Sequence, residues 1–129
     1  MPAALSRYTV MRCFPNIAES LRMHSYREVF MATFVCFLNW TDQGARAAKD
    51  SGKRYQAAKS MAEKLGGRMI SAYVTTGQYD IVATVDMPSG EAMLKLAAAI
   101  AATGNARTTT VRAFTPEEFS RLAAEVPTP

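Results

Sequence analysis

From Met31 onward the hydrophobic residues switch between two spacings, and each switch marks an element. Residues 33–40, "TFVCFLNW", are apolar on both alternating faces as far as Asn39 and rich in aromatic and branched side chains, the pattern of a central strand covered on both sides. Thr41 and Asp42 then offer caps for a first helical turn or two, and Asp50 or Ser51 a second cap, with a break near Gly52. Tyr55, Ala58, Met61, Ala62 and Leu65 fall on one side of the helix that follows, Lys53, Lys59 and Lys64 can turn to water, and Gly66 and Gly67 stop it. Strands over 68–75 and 79–86 flank Gly77 and Gln78, so Gly77 is explained as a turn glycine, here of a type II′ hairpin. Pro88 opens a helix through "SGEAMLKLAAAIAAT", with Met93, Leu94, Leu96, Ala97 and Ile100 as its apolar side. "RTTTVRAF" (107–114) is the last strand, and "TPEEFSRLAAEV" begins a short final helix with Thr115 as cap, Pro116 in the first turn and Glu118 at the capping-box position.

The first thirty residues do not share this order. They have weak periodicity, an internal proline, and neither Gly nor Lys, and they lack the continuous apolar run of a secretory signal. Residues 1–30 are therefore expected to be disordered, cleaved or a non-native extension, with the compact domain over 31–125 and a frayed tail at 126–129. The chain's single histidine, His24, lies in that extension, so a domain starting at Met31 has no imidazole for a catalytic triad or a histidine-based zinc site.

The order βαββαβ plus a C-terminal helix matches the α+β ferredoxin-like motif: a four-stranded antiparallel sheet ordered 4-1-3-2, with both long helices on one face. The other face would carry side chains such as Val82 and Val111 unprotected, and soluble monomers seldom expose such a patch, so a homodimer packed sheet to sheet is expected. The same topology brings Asn39 and Trp40, the Gly77 hairpin, Tyr79 and Asp80, and Arg107 to one edge. A set Tyr79, Ile81, Ala83, Val85 facing the helices would aim Asp80 into the cleft between protomers. Asp80 also has a plainer role open to it, satisfying backbone N–H groups near the turn. Trp40 is by default a core residue, and Arg107 and Arg112 solvated strand residues or partners of surface carboxylates.

Composition narrows the chemistry. The net charge of +4 divides into four Arg against two Glu in residues 1–30 and eleven basic against nine acidic side chains in the rest, too diffuse for a nucleic-acid surface. No apolar run is long enough for a membrane helix. Cys13 and Cys36 are an improbable disulfide pair, which points to a reducing, cytoplasmic setting, and Cys36 reads as a small buried hydrophobe. No Walker loop, dinucleotide fingerprint, CxxC or HExxH is present, so neither cofactor nor metal is expected.

"FLNWTDQG", "AEKLGG", "GQYD" and "NARTTTVRAF" together resemble the GYD domain family, small bacterial proteins whose Gly, Tyr and Asp stand here as Gly77, Tyr79 and Asp80. Gly52 departs from the proline common at that point of the family. The resemblance implies a dimeric α/β barrel, akin to amino-acid-sensing domains and small cofactor-independent monooxygenases, without implying an activity. Three functional expectations follow. The first is a homodimeric module binding a small polar or aromatic metabolite through Asn39, Trp40, Tyr79, Asp80 and Arg107. The second is a cofactor-independent monooxygenase or isomerase with Asp80 as base and Tyr79 or Arg107 polarising a carbonyl. The third is an interaction protein with no pocket.

Overall fold

The computed structural model describes residues 31–129; the expectations for residues 1–30, including Cys13 and His24, lie outside them. The described residues form β1 (Ala32–Trp40), α1 (Asp42–Arg46), a 3-10 turn (Ala48–Asp50), α2 (Ser51–Lys64), β2 (Arg68–Val74), β3 (Ile81–Met87), α3 (Gly90–Ala102), β4 (Ala106–Ala113) and α4 (Pro116–Ala123). The strands make one sheet in the order β2-β3-β1-β4, with every neighbouring pair antiparallel, which is the α+β ferredoxin-like arrangement. No helix among the described residues is long and apolar enough to cross a membrane.

Strand alternation sorts the core. Phe34, Cys36 and Leu38 on β1 and Ala83, Val85 and Met87 on β3 are buried beneath the helices, where they meet Ala62 of α2 and Met93 and Leu96 of α3. Met87, Leu96 and Val85 are the largest side chains with essentially no exposure. The opposite face carries Val35 and Phe37 of β1, Val82 of β3 and Val111 of β4, paired across the strands as Phe37 with Val82 and Val35 with Val111. Leu94, expected on the apolar side of α3, is 71% exposed because one residue after Met93 lies about 100° around the helix.

At the far end of this outer face sits a buried carboxylate. Asp86 is 8% exposed; its Oδ1 accepts from Thr33 Oγ1 at 2.7 Å and its Oδ2 pairs with Arg68 Nη2 at 3.3 Å. Such a group is tolerated away from water only because both oxygens are used. Arg112 is not simply solvated: its guanidinium lies 4.4 Å from the centroid of the Phe114 ring and donates to the Thr33 carbonyl at 3.0 Å.

Capping follows local chemistry. The Thr41 and Ser89 hydroxyls accept from the backbone N–H of Gly44 and Ala92, and Thr115 and Glu118 form the reciprocal capping box of α4. The helical break falls at Ala47, where α1 gives way to the 3-10 turn, rather than at Gly52, which lies inside α2. Gly66 ends α2 with φ +84°, the left-handed conformation glycine adopts without strain.

Gly44 has a different reason. It is buried in α1 against the chain leading into β4, and a Cβ there would collide with the Asn105 carbonyl oxygen, whereas one at Gly52 would meet nothing. Gly44→Ala is expected to lower unfolding stability by about 1–3 kcal/mol through forced overpacking. Gly52→Ala is expected to leave it unchanged or raise it by up to about 1 kcal/mol through helix propensity. Urea denaturation of the two variants beside the parent measures both, and equal losses would contradict the packing account.

Candidate functional site

The Asp80 edge is built by a substitution in the hydrogen-bond ladder. Leu38 and Trp40 direct their backbone polar groups toward β3, and a continued antiparallel ladder would bring the Trp40 N–H to the carbonyl of Tyr79. That carbonyl instead accepts from Thr75 Oγ1 at 2.7 Å, and the Trp40 N–H donates to Asp80 Oδ2 at 2.9 Å. The Asp80 N–H reaches the Leu38 carbonyl at 3.0 Å, and the Asp80 carbonyl accepts from the Thr75 N–H at 2.8 Å. Two polar groups of this one residue, its N–H and its carboxylate, therefore tie the hairpin to the end of β1, and its carbonyl closes the hairpin on Thr75. The connection runs through Thr76, Gly77, Gln78 and Tyr79 between Thr75 and Asp80, longer than the expected two-residue type II′ turn, because the backbone pairing that closes it joins Thr75 to Asp80. Gly77 supplies the positive φ of +100° that the turn needs.

The residues expected at this edge divide. Asn39 and Arg107 are exposed, directly opposite each other across β1 and β4 on the outer face. Tyr79 lies before β3 begins, so alternation does not carry it to the helix face with Ile81; its ring packs at 4.7 Å on Phe37, a residue of the outer face. Trp40 points the other way, beneath the helices. The five candidates thus share an edge of the sheet without sharing one pocket.

The space beneath the helices is larger than the sequence suggests. Between α2 and the inner face of the sheet lies a cavity of about 370 Å³, at the small end of the range of about 300–1,000 Å³ that ligand pockets occupy. Its walls are mostly apolar: Trp40, Met61, Met69, Ile81, Leu96 and Ile100 contribute large surfaces, and Ala57, Ala58, Ala72, Ala83 and Ala106 small ones. The alanines explain the void, since methyl groups on both facing surfaces cannot span the roughly 10 Å between packed layers. Polar groups enter from Ser51, Arg54, Thr103 and Asn105, while Tyr55, Tyr73 and Val74 are exposed at the surface.

Cys36 lines the same cavity, and burial pushes its thiol above the ordinary value, with a smaller opposing pull from Thr110. The Thr110 hydroxyl oxygen is buried without an oxygen or nitrogen partner among the described residues, and the Cys36 sulfur opposite it offers only a weak contact. A neutral thiol in apolar surroundings makes Cys36 a wall residue rather than a nucleophile. No cluster of His, Cys, Asp or Glu among the described residues could hold a metal ion.

Sequence reasoning missed Arg54, Met69 and Asn105 as cavity residues, and took Tyr55 and Met61 only for the apolar side of a helix. The signal present was the run of small residues at 57–58, 72, 83 and 106, which places alanine on both sides of one layer boundary.

Compared with known proteins, residues 34–123 match the family model described as the GYD domain. No curated protein and no solved structure matches the chain.

The Asp80 geometry sets an expectation of its own. Asp80→Ala removes the acceptor of the Trp40 N–H and is expected to cost about 1–3 kcal/mol, whereas Asp80→Asn keeps a carbonyl oxygen there and costs less. Urea unfolding ranks the variants, and amide exchange at Trp40 reports the bond itself. Unchanged Trp40 protection in Asp80→Ala would remove Asp80 from this role.

Proposed function

This chain belongs to the GYD domain family, and on that premise we propose that it is a homodimeric module that binds one small, largely apolar molecule per protomer in the cavity between α2 and the sheet. The cavity is the observation that carries the reading. A well-packed domain of this size has no physical reason to leave such a space beside its core, because each unfilled methylene volume costs stability. A pocket of this volume with apolar walls and a few polar groups is the common form of a small-molecule site.

Trp40 and Cys36 come to the cavity from β1, Tyr55 and Met61 from α2, Met69 from β2, and Ile100 from α3. A bound molecule would therefore touch every layer of the domain and stiffen it as a unit. Homodimer formation is supported by the outer sheet face, where Phe37, Val82, Val35 and Val111 adjoin the exposed Tyr73. Covering that patch with a second copy removes apolar surface from water.

Asp80 is bound to the backbone of β1, and nothing in its surroundings favours the reading of it as a catalytic base over that of a tether. The edge residues Asn39 and Arg107 lie on the face a second copy would cover.

Trp40 is the chain's single tryptophan and sits in the cavity wall, so its fluorescence reports occupancy directly. Titration with indole, naphthalene and six- to ten-carbon alcohols and acids is expected to give a saturable change in emission. Ala58→Phe, which fills the space, is expected to abolish that change while the protein stays folded. No saturable response across the set would refute the binding proposal. Sedimentation equilibrium tests the oligomer separately: the parent is expected at the mass of two chains, and Phe37→Glu at the mass of one.

A further inference from the structure

We infer that the molecule held in the cavity carries a single negative charge, and that it is a small carboxylic acid with an apolar body whose carboxylate meets Arg54. This rests on the proposed use of the cavity and adds the chemistry of the ligand. Arg54 is the one charged residue among the described residues lining the cavity.

Its guanidinium is half-committed. Nη2 donates to the Gly44 carbonyl at 3.1 Å and to the Ala47 carbonyl at 2.5 Å, spanning the end of α1. Guanidinium has five N–H donors, so the Nε and Nη1 hydrogens are left without partners among the described residues. No carboxylate pairs with it there: Asp50, one helical turn earlier, forms no ion pair with Arg54. A half-buried cation facing apolar walls with only neutral carbonyls for company is a poorly compensated charge, and an anion is the group that compensates it.

Position adds to the argument. Arg54 lies in the first turn of α2, where the helix dipole contributes positive potential of the same sign as the guanidinium, and where the Asp50 side chain makes no cap. Arginine is ordinarily favoured at the opposite end of a helix. With Nη2 taken by the two carbonyls, Nε or Nη1 can give a carboxylate oxygen a single charge-assisted hydrogen bond. A phosphate dianion would call for a second cation, and the described walls supply none. The remaining surface is Trp40, Tyr55, Met61 and alanine methyls, which suits an alkyl or aromatic body and no further charge.

The test uses a matched pair, octanoate and octan-1-ol, titrated against Trp40 fluorescence of the full chain. Octanol is the more hydrophobic of the two, so a merely apolar pocket would prefer it. Octanoate is expected to bind about tenfold tighter or more, the increment typical of a charge-assisted hydrogen bond. In Arg54→Gln that preference is expected to disappear while octanol binding is retained, and Arg54→Lys is expected to keep part of it.

Equal binding of the two ligands, or tighter binding of the alcohol, would overturn the inference and leave the cavity proposal standing. Persistence of the octanoate preference in folded Arg54→Gln would overturn the assignment to Arg54. Failure of both ligands, together with all others, would overturn the inference along with the binding proposal. Should Arg54→Gln unfold through loss of its bonds to Gly44 and Ala47, the comparison on the parent and on Arg54→Lys decides alone.

Discussion

The domain depends on β1 being paired along both edges. Seven register positions link it to β3 and eight to β4, so neither β3 nor β4 can complete its pairing before β1 is in place. Its C-terminal end is where a ladder of this kind frays, and there the chain departs into α1. The fold secures that end twice, through the Trp40 N–H on the Asp80 carboxylate and the Thr41 N–H on the Asn105 carbonyl at 3.0 Å. Both bonds reach across the sheet to distant parts of the sequence, which is why the Gly77 hairpin and the start of β4 arrive at the same edge.

The same constraint separates support from reception. Asp80, the acidic residue most conspicuous in the sequence, serves the backbone. Trp40, its hydrogen-bond partner, turns its ring to the opposite side and into the cavity. One peptide unit thus joins the hairpin to the cavity wall, and the firmness of the wall at Trp40 depends on a carboxylate that does not face the cavity. Arg54 likewise holds the end of α1 with one nitrogen while its side chain lines the cavity.

Much of the architecture was legible in the residues because it rests on local rules. The capping box at Thr115 and Glu118, the glycine stop at Gly66 and the two-faced apolar run of β1 each follow from short-range chemistry and appear as read. The break in the first helical segment was misplaced because Gly52 looks like a breaker, whereas Thr41 capping and the contact of Gly44 with Asn105 fix where α1 must lie. Tyr79 was placed on the wrong face because alternation was extended back through residues that belong to the turn. The cavity was illegible for a deeper reason. Periodicity tells which face of an element is apolar, and alanine satisfies that test as well as leucine does; whether two facing surfaces are together too small to touch is a property of the pair, visible only when they are opposed.

Those wall alanines make the chamber unusual among the parts of this protein in how easily it can be altered. Ala57, Ala58 and Ala72 are all at least partly exposed and take no part in the hydrogen-bond ties that secure the sheet edge. A change from alanine to valine needs one nucleotide, and at such positions it would shrink the space while leaving the scaffold whole. Arg54 has no such latitude, since its replacement also releases two carbonyls at the end of α1. The dimensions of the chamber can therefore be changed separately from the scaffold, whereas the charge at its wall is tied to the end of α1.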